Sequence, residues 1–457
     1  MKNFTIAIIG AGPGGYVAAI RAAQKGAKVA LIESNLVGGV CLNEGCIPTK
    51  ILLSHSARLQ DIQESQKFHI NVENISFDYP SIYKQKNKTI STLRSNVENL
   101  LRMNSVELIK GKARFTSSNT LQIEDETIQA EKIIIATGSS FTPFGDICFD
   151  ETILSSSSLL NLEKLPKSLT IIGGGYIGCE FASLFAPFGV DITIIEAMSS
   201  IIPDQSSAIS KELTKYFTTQ KIKILTNTKV EKIEKNENGA IIYTDKNEKI
   251  ESEKVLISIG RTCHLEELSL PSEINTEDGF ISTNEYLQTT LPNVYAIGDV
   301  TGKAMLAHVA SHQAIVAVDH ILGKDVKMDY EAIPSVIFTH PQIASVGFTE
   351  KQAQETNIEI ISATYPYRAL GKAIASLETI GFAQIIADKK DHRILGAHII
   401  GDKASELIGE ITLAITYKMK LEDITKTIHA HPTLSEIWQE VAFMALDTPI
   451  HFPPKRR

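Results

Sequence analysis

The chain has 457 residues, which is enough for about three domains that each bury a core of their own. Its formal net charge of −8 argues against nucleic acid or a membrane surface as a partner, and no apolar run approaches the roughly 18 residues of a membrane span. The first residues already form a strand pattern that leads into a glycine motif, so we expect no targeting segment and a cytoplasmic protein. The basic residues 455–457 are expected to be a solvated end.

The chain begins with a predicted strand, a glycine-rich turn and a helix. A β-branched run over 4–9 leads into GAGPGG, an Ala-rich helix extends to residue 24, and a second strand over 28–32 ends in an acid. In this order of elements the turn holds a diphosphate at the helix N-terminus, and the acid accepts hydrogen bonds from a ribose diol. The first predicted nucleotide site therefore consists of Gly10, Gly12, Gly15 and Glu33.

Two cysteines follow within the stretch 38–50. Cys41 and Cys46 lie five positions apart, about 7.5 Å along a regular helix, so a disulfide between them requires a distorted turn, which Gly45 permits. Closing so small a loop would contribute only about 2 kcal/mol to stability, which favours a redox role for the pair. Two unrelated buried thiols are the alternative. No metal site is expected, because no second Cys or His pair lies nearby at zinc-ligand spacing.

The region after the cysteines is predicted to be helical over 51–104 and then β-rich. The apolar side chains at helical spacing within it are predicted to be core: Ile90, Leu93, Val97, Leu100 and Leu101. A buried strand over 132–137 then runs into the turn Thr137-Gly138-Ser139. The remaining cysteines are expected to be small apolar filler: Cys148, Cys179 and Cys263.

The same order of elements recurs in the middle of the chain. A strand over 169–172 precedes GGGYIG, a helix extends to residue 185, and a strand over 191–195 ends in Glu196. In both copies the acid lies 23 residues after the first glycine, so Gly173, Gly175, Gly178 and Glu196 form a second predicted nucleotide site. We therefore expect two doubly wound domains that bind two nucleotides.

Two further predicted strands end at candidate ligand contacts. A strand over 255–259 is followed by Gly260, and a strand over 291–300 exposes Asp299 near its end. Ligands of open α/β sheets lie beyond the carboxyl ends of strands, so Asp299 is predicted to meet the ligand of the first glycine motif. An ordinary turn residue is the alternative.

The segment 334–457 mixes strands and helices without a third glycine motif, so we expect a different task for it, subunit association. His429 and His431 would point to opposite sides of an extended chain. A histidine suits proton transfer from a dithiol, because its reference pKa of about 6.5 lies nearer neutrality than the thiol value of about 8.5. The alternative is that Thr433-x-x-Glu436 is a capping box in which Glu436 only caps a helix.

Together these patterns predict an α/β fold class, with two doubly wound Rossmann-like nucleotide-binding domains and an α+β C-terminal dimerisation domain. The first nucleotide-binding domain is expected to comprise 1–145 and 263–330. The second is expected at 146–262, and the dimerisation domain at 334–457.

The motifs taken together resemble the pyridine nucleotide-disulfide oxidoreductases over essentially the whole chain. The matching stretches are GAGPGGY, GGVCLNEGCIPTK, ATGSS, GGGYIGCEF, YAIGDV, MLAH, PSVIFTHPQIASVG and HAHPTLSE. The resemblance implies these FAD contacts: Gly10, Gly12, Gly15, Glu33, Lys50, Thr137, Gly138, Ser139, Asp299, Met305, Leu306, Ala307 and His308. The implied NAD contacts are Gly173, Gly175, Gly178, Glu196 and Gly260. The implied catalytic set is Cys41, Cys46, Lys50, Glu180, His431 and Glu436, with Glu180 paired to Lys50.

The resemblance also implies a chemistry and a partner. In a homodimer, a disulfide between Cys41 and Cys46 of one subunit faces the His431–Glu436 pair of the other. His431 accepts a proton from a dihydrolipoyl group, the substrate thiolate attacks Cys41, and Cys46 passes the electrons to FAD and then NAD. The implied partners are lipoyl-bearing acyltransferase or carrier subunits of a 2-oxo acid dehydrogenase or glycine cleavage complex, and the motifs do not select one of these complexes.

Some positions depart from the family pattern. Val40 replaces the usual Thr and Thr49 the usual Ser, and we expect both changes to be tolerated. Residues 262–264 depart from the usual GR-x-P-N, so we expect the local loop near NAD to differ from that of the family. Residues 311–314 replace an acidic stretch of the family and therefore receive no predicted role.

Other functions compete for the same residues. A glutathione-type reductase would use NADPH, yet no Arg or Lys follows Glu196 to receive a 2′-phosphate. A mercuric reductase would carry a C-terminal cysteine pair, and a soluble transhydrogenase would lack Cys41 and Cys46. Two non-catalytic alternatives are a structural subunit docked on a 2-oxo acid dehydrogenase core and a flavin-binding sensor without turnover.

Overall fold

The structure, a computed structural model, describes residues 1–453. The predicted solvated end at 455–457 lies outside the described residues. The described chain is built around three large sheets, of seven, five and five strands. No helix within residues 1–453 combines the length and the apolar character that crossing a membrane requires.

The first segment of chain forms most of a largely parallel sheet. The strands of the segment are β1 (Lys2–Ile9), β2 (Val29–Glu33), β3 (Glu107–Lys110), β4 (Ala113–Ser117), β5 (Thr120–Ile123), β6 (Glu126–Ile135) and β7 (Ser140–Phe141), of which β7 lies outside the sheet. Its helices are α1 (Pro13–Gln24), α2 (Gly39–Asn43), α3 (Cys46–Gln63) and α4 (Tyr79–Met103). Strands β3-β2-β1-β6 run parallel, and β5 and β4 continue the sheet antiparallel. Residues 6–9 of β1 are all buried, as expected for a strand covered on both faces.

The helix predicted over 51–104 is two helices, and the prediction is wrong for the residues between them. α3 ends at Gln63, a short 3-10 helix follows, and residues 69–78 are not helical. α4 begins after this segment because the Asp78 side chain accepts a hydrogen bond from the Ser81 amide and Pro80 occupies the first turn. The spacing of apolar residues did not show this break, because the start of α4 is marked by its cap residues and not by apolar ones.

Burial of the predicted core positions is mixed. Ile90 and Leu101 on α4 are buried as predicted, but Leu100 is 47% exposed. At about 100° per residue, Leu100 points about 80° away from Ile90, toward the edge of the apolar face. Of the cysteines predicted as filler, Cys179 is buried, whereas the prediction is wrong for Cys148, which lies exposed in the loop after β7.

The second segment forms a parallel sheet and a small antiparallel one. Its strands are β8 (Ile153–Leu154), β9 (Ser168–Ile172), β10 (Asp191–Ile195), β11 (Lys223–Leu225), β12 (Val230–Asn236), β13 (Gly239–Thr244), β14 (Lys249–Ser252), β15 (Lys254–Ile257) and β16 (Arg261–Thr262). Its helices are α5 (Ser156–Leu160), α6 (Tyr176–Phe185) and α7 (Ser207–Thr219). The order β11-β10-β9-β15-β8 is parallel throughout, and β12-β13-β14 is antiparallel. β16 pairs antiparallel with β7, so a two-stranded ribbon joins this segment to the first.

The third segment returns the chain to the first sheet. Its elements are β17 (Thr276–Glu277), β18 (Phe280–Ile281), β19 (Val294–Ala296) and α8 (Ala307–Ile321). β19 pairs parallel with β6, which confirms the strand predicted over 291–300 for its central residues only. A 3-10 turn over Gly298–Thr301 then places Asp299 beyond the carboxyl end of β19. The predicted boundaries at 145, 262 and 330 fall outside the large sheets and stay predictions.

The last segment packs helices against an antiparallel sheet. Its strands are β20 (Ser335–Ile337), β21 (Gln342–Gly347), β22 (Ile360–Pro366), β23 (Phe382–Asp388) and β24 (Ile394–Gly401), in the order β20-β21-β24-β23-β22. Its helices are α9 (Glu350–Glu355), α10 (Gly371–Ala375), α11 (Ala404–Thr416), α12 (Leu421–Lys426) and α13 (Glu436–Ala445). Trp438 of α13 is fully buried, and its indole N–H donates to the Leu407 carbonyl of α11 at 2.9 Å. This contact fixes the helix that begins with Glu436.

We expect Trp438→Ala to lower the free energy of unfolding by about 3–5 kcal/mol, because it leaves a cavity and removes the hydrogen bond to Leu407. The thermal midpoint, followed by far-ultraviolet circular dichroism, measures the loss. Met103→Ala is the matched control, since Met103 is 77% exposed, and it should leave the midpoint nearly unchanged. Equal midpoints for the two variants would contradict the packing role of Trp438.

Candidate active site

The two cysteines lie on successive helices that are separated by a distorted turn. α2 ends at Asn43, Glu44 and Gly45 leave the helical conformation, and α3 begins at Cys46. The turn at Gly45, with φ −142° and ψ −102°, is the distortion that the spacing predicts. Both cysteines are free thiols in this structure, and they lie close enough for each to shift the pKa of the other, so the fold brings the predicted redox pair together. Their disulfide stays a prediction.

The two thiols titrate as a pair. The hydrogen bond with Cys41 lowers the pKa of Cys46 to about 7, against the opposing effect of burial, and the Lys50 ammonium acts in the same direction. The same hydrogen bond and burial raise the pKa of Cys41. The reduced pair therefore holds one thiolate near neutral pH, on Cys46, and retains its second proton.

Lys50 lies at a junction of three elements. Its ammonium lies 2.9 and 3.2 Å from the two carboxylate oxygens of Glu180 on α6, whose side chain is 9% exposed. The Phe338 amide, just after β20, donates to the same carboxylate at 2.9 Å. The ammonium also lies 4.3 Å from the centroid of the Phe338 ring. Helix α3, helix α6 and the end of β20 therefore meet beside the thiol pair.

The acids of the two glycine motifs make the same hydrogen bonds in both copies. Glu33 accepts from the amides of Ala11 and Asn35, each at 2.7 Å. Glu196 accepts from the corresponding amides, those of Gly174 and Met198, each at 2.7 Å. The internal repeat thus extends to the contacts of the carboxylates, each of which joins its glycine turn to the end of the second strand.

The glycines of the two motifs fall into two groups. Some leave no room for a larger side chain, and others face open space. A Cβ at Gly15 would lie 1.7 Å from the Gly10 carbonyl oxygen, and one at Gly178 would lie 2.1 Å from that of Gly173, so no larger residue fits. A Cβ at the glycine in the third position of each motif, Gly12 or Gly175, would meet no protein atom within 4 Å. The N-termini of α1 and α6 therefore open onto space that a diphosphate fits.

A hydrogen-bonded network surrounds Asp299. Ser139 donates from its hydroxyl to the Asp299 carboxylate, and Arg261 donates to the hydroxyl and carbonyl oxygens of Ser139, each at 2.7 Å. The thiol of Cys263 is half-buried and donates to the Gly138 carbonyl at 3.3 Å and to the Asp299 carbonyl at 3.7 Å. The turn after β6 and the turn after β19 are thus tied together, which brings the predicted residues 137–139 next to Asp299.

A cavity of about 210 Å³ lies between the second glycine motif and the predicted segment 305–308. It is lined by Gly175 and Tyr176 on one side and by Met305 and Leu306 on another. Ala307 begins α8, and the His308 ring donates from Nε2 to the Pro334 carbonyl at 2.9 Å, so these two residues hold the segment in place. Gly260 lies directly before β16 and has a positive φ of 134°.

Sequence reasoning assigned no role to three residues that the structure places in the site. They are Arg261, Tyr176 and Phe338. Arg261 is 90% buried although it is an arginine, and Tyr176 is an aromatic residue at the first position of α6. The sequence shows an arginine directly after Gly260 and a tyrosine directly after Gly175. Their place in the site depends on neighbours from distant parts of the chain, Ser139 for Arg261 and residues 305–306 for Tyr176.

His431 and Glu436 form a pair at the start of α13. His431 Nδ1 lies 2.8 Å from Glu436 Oε1, and the Thr433 amide donates to Glu436 Oε2 at 2.9 Å. Burial opposes ionisation of Glu436, but the hydrogen bonds from His431 and Thr433 outweigh it and lower the pKa of this carboxyl. The capping box considered for Thr433 is present only in part. Glu436 accepts from the Thr433 amide, but Ser435 is the residue before the helix and no side chain caps it. Glu436 also contacts the His431 imidazole, so capping is not its only interaction.

The two histidines of this segment face different surroundings, as predicted. The His431 side chain is 78% exposed, whereas the His429 side chain is 4% exposed and lies 2.8 Å from Glu410 of α11. In the described residues of a single chain, no hydrogen bond links His431 to Cys41 or Cys46. The site is therefore divided between a thiol pair in one region and an imidazole in another.

Comparison with known proteins gives the class of this site. The family model described as pyridine nucleotide-disulphide oxidoreductase matches residues 4–314, and the model for the dimerisation domain of that family matches 333–442. The chain belongs to the pyridine nucleotide-disulphide oxidoreductase family. It is an oxidoreductase that uses FAD and NAD, and the two open glycine motifs fit these two nucleotides.

Individual relatives extend over the full chain. The chain is 45% identical to a dihydrolipoyl dehydrogenase from Chlamydia pneumoniae, over 99% of both chains. It is 41% identical to a dihydrolipoyl dehydrogenase from Geobacillus stearothermophilus, over 98% of this chain and 97% of the other. Among solved structures it is similar to the HOCl-induced flavoprotein disulfide reductase RclA from Escherichia coli, at 30% identity and a TM-score of 0.85, over 96% of this chain and 99% of that chain.

We expect Cys41→Ala to raise the pKa of Cys46 above its value of about 7, because the hydrogen bond that favours the thiolate is lost. The pH dependence of iodoacetamide alkylation of Cys46 in the reduced protein, read by peptide mass spectrometry, measures this pKa. The alkylation rate should rise with pH through the pKa, at higher pH in the variant. Cys148→Ala is the control, since Cys148 is exposed in a distant loop. An unchanged profile for Cys41→Ala would contradict the pairing.

Proposed function

We propose that this protein is a dihydrolipoyl dehydrogenase, which reoxidises protein-bound dihydrolipoamide and reduces NAD to NADH. The observation that carries the proposal is the Cys41–Cys46 pair, which lies beside the Lys50–Glu180 ion pair and between two nucleotide motifs. The curated relatives that are 41–45% identical over nearly the full chain are named dihydrolipoyl dehydrogenase, which supports the same substrate.

The proposed reaction exchanges one disulfide for another. His431 accepts a proton from one substrate thiol, and the thiolate attacks Cys41, which breaks the Cys41–Cys46 bond and leaves a thiolate on Cys46. The second substrate thiol then displaces Cys41, releasing oxidised lipoamide and a reduced enzyme pair. Glu436 orients the imidazole and stabilises its protonated form. When bound, FAD supplies the two-electron carrier between this pair and NAD.

The proposed active site requires a homodimer. His431 is 78% exposed and makes no contact with the thiols of its own chain within the described residues, so a second subunit is needed to bring an imidazole to Cys41. The match of residues 333–442 to a dimerisation domain supports this arrangement. The proposed partners are the lipoyl-bearing subunits of a 2-oxo acid dehydrogenase or glycine cleavage complex.

The proposed nucleotide contacts follow the two glycine motifs. FAD would lie on the first motif, with Glu33 at its ribose and Lys50 beside the flavin ring. Asp299 and residues 305–308 would line its ribityl chain, and residues 137–139 would also contact it. NAD would lie on the second motif, with Glu196 at its ribose and Gly260 closing the pocket. The Glu196 carboxylate repels a 2′-phosphate, which favours NAD over NADP and argues against a glutathione-type reductase.

The first test is an anaerobic assay of the purified yellow protein with dihydrolipoamide and NAD. We expect rapid NADH formation, with no response when NADP replaces NAD or when glutathione replaces dihydrolipoamide. Flavin absorbance reports reduction of the enzyme in the same cuvette. Reduction of a different disulfide by NADH, without turnover of dihydrolipoamide, would retain the oxidoreductase class and overturn the proposed substrate.

We expect Cys46→Ser to abolish NAD reduction by dihydrolipoamide while FAD stays bound, because the variant cannot form the disulfide that accepts electrons. The assay above and the flavin absorbance of the purified variant measure the two effects. Full activity in this variant would overturn the assigned role of Cys46.

We expect His431→Gln to lower turnover of dihydrolipoamide by about 100-fold to 10,000-fold, the usual contribution of a general base. The matched control is His429→Gln, two residues away, which removes an imidazole that faces Glu410 rather than the open surface. The control should retain most of the activity. Equal losses in both variants would indicate that the segment needs its histidines for structure and not for proton transfer.

A further inference from the structure

Helix α13 carries two carboxylates one turn apart, and each of them holds a histidine. Glu436 Oε1 lies 2.8 Å from His431 Nδ1, and Glu440 Oε1 lies 2.7 Å from His451 Nδ1. Residues i and i+4 share one face of a helix, so the two pairs lie side by side. The proposed function uses only the first pair.

In the second pair, Glu440–His451, the carboxylate is buried, unlike the carboxylates of ordinary surface ion pairs. The Glu440 side chain is 8% exposed, and its Oε2 is buried without a hydrogen-bond partner in the described part of the chain. A buried carboxylate is stable as an ion where hydrogen bonds or a positive charge compensate it, and among the described residues the Glu440 carboxylate has only the contact with His451. The His451 ring supplies that charge, because its hydrogen bond to Glu440 and the charges of Glu440 and Glu436 raise the pKa of His451.

The segment that carries His451 is fixed in place beside α13. The Phe452 ring lies 5.7 Å from the ring of Tyr365, a fully buried residue of β22, and packs against the core of the domain. The titratable groups that act on this region from the packed elements are Glu436 and Glu440 of α13, Tyr365 of β22, His431 and His429 of the preceding segment, and Glu410 of α11.

We infer that the His451–Glu440 pair sets the local charge under which His431 accepts its proton, so that His451 is a positioning residue for the reaction. The inference rests on the proposed function of His431. The pair carries no net charge while His451 is protonated, and one negative charge once His451 is neutral. That negative charge lies one helical turn from Glu436, the partner of His431, and favours a positive charge there.

The pH dependence of kcat/KM for dihydrolipoamide tests the inference with two variants of opposite sign. Only a neutral imidazole accepts a proton, so the acid limb of the profile follows the protonation of His431. In His451→Gln the remaining carboxylate favours the imidazolium, and the acid limb shifts to higher pH by about 0.3–1 unit. In Glu440→Gln the negative charge is lost, and the acid limb shifts to lower pH.

Two further variants separate charge from shape. His451→Lys keeps a positive charge without an imidazole, and it should return the acid limb to the wild-type position. His392→Gln is the matched control, because His392 pairs with Glu422 of α12 and with no carboxylate of α13, and it should leave the profile unchanged.

The outcomes distinguish the inference from the function on which it rests. Shifts of the same sign in His451→Gln and Glu440→Gln, no shift in either, or failure of His451→Lys to restore the profile would overturn the inference. Wild-type protein that does not turn over dihydrolipoamide would overturn the proposed function instead.

Discussion

The ion pair between Lys50 and Glu180 is the contact on which the arrangement around the thiols depends. Glu180 is 9% exposed and receives hydrogen bonds from the Lys50 ammonium and the Phe338 amide, so its charge is compensated within the protein. Removing Lys50 would leave the buried Glu180 carboxylate with only the Phe338 amide to compensate its charge, which destabilises the fold here. Cys46 and Lys50 lie four residues apart on α3 and therefore on one face of the helix. The charge that joins the three domains is thus the charge that favours a thiolate on Cys46.

The two glycine motifs use the same carboxylate-to-amide hydrogen bonds. In each motif the acid at the end of the second strand accepts two backbone amides, and these bonds hold the glycine turn against the sheet. A carboxylate that accepts two amides still has lone pairs for ribose hydroxyls. The same side chain therefore stabilises the turn and, in the proposed nucleotide sites, has acceptors left for a ribose.

Local patterns in the sequence were sufficient to predict the two glycine motifs, the proximity of the two thiols and the different surroundings of His429 and His431. Each of these depends on residues within one or two neighbouring elements, whose spacing the sequence shows directly. The roles of Arg261 and Phe338 were missed, because their contacts join segments that lie far apart in the chain. The break at 69–78 was missed for a different reason. The apolar stripe seen in the sequence lies within α4, and the start of that helix is set by the Asp78 cap and not by the stripe.

The pairing of β19 with β6 joins residues that lie about 160 positions apart, as in the register of Val294 with Ile133. The residues between β7 and β16 include the whole parallel sheet of the second segment. During synthesis, residues 133–135 of β6 therefore form an open edge of the first sheet until residues 294–296 have been made. Such an edge pairs readily with other chains. While that edge is open, the growing chain is prone to aggregate. Rapid folding of the second segment, or a chaperone, would shorten or protect this stage.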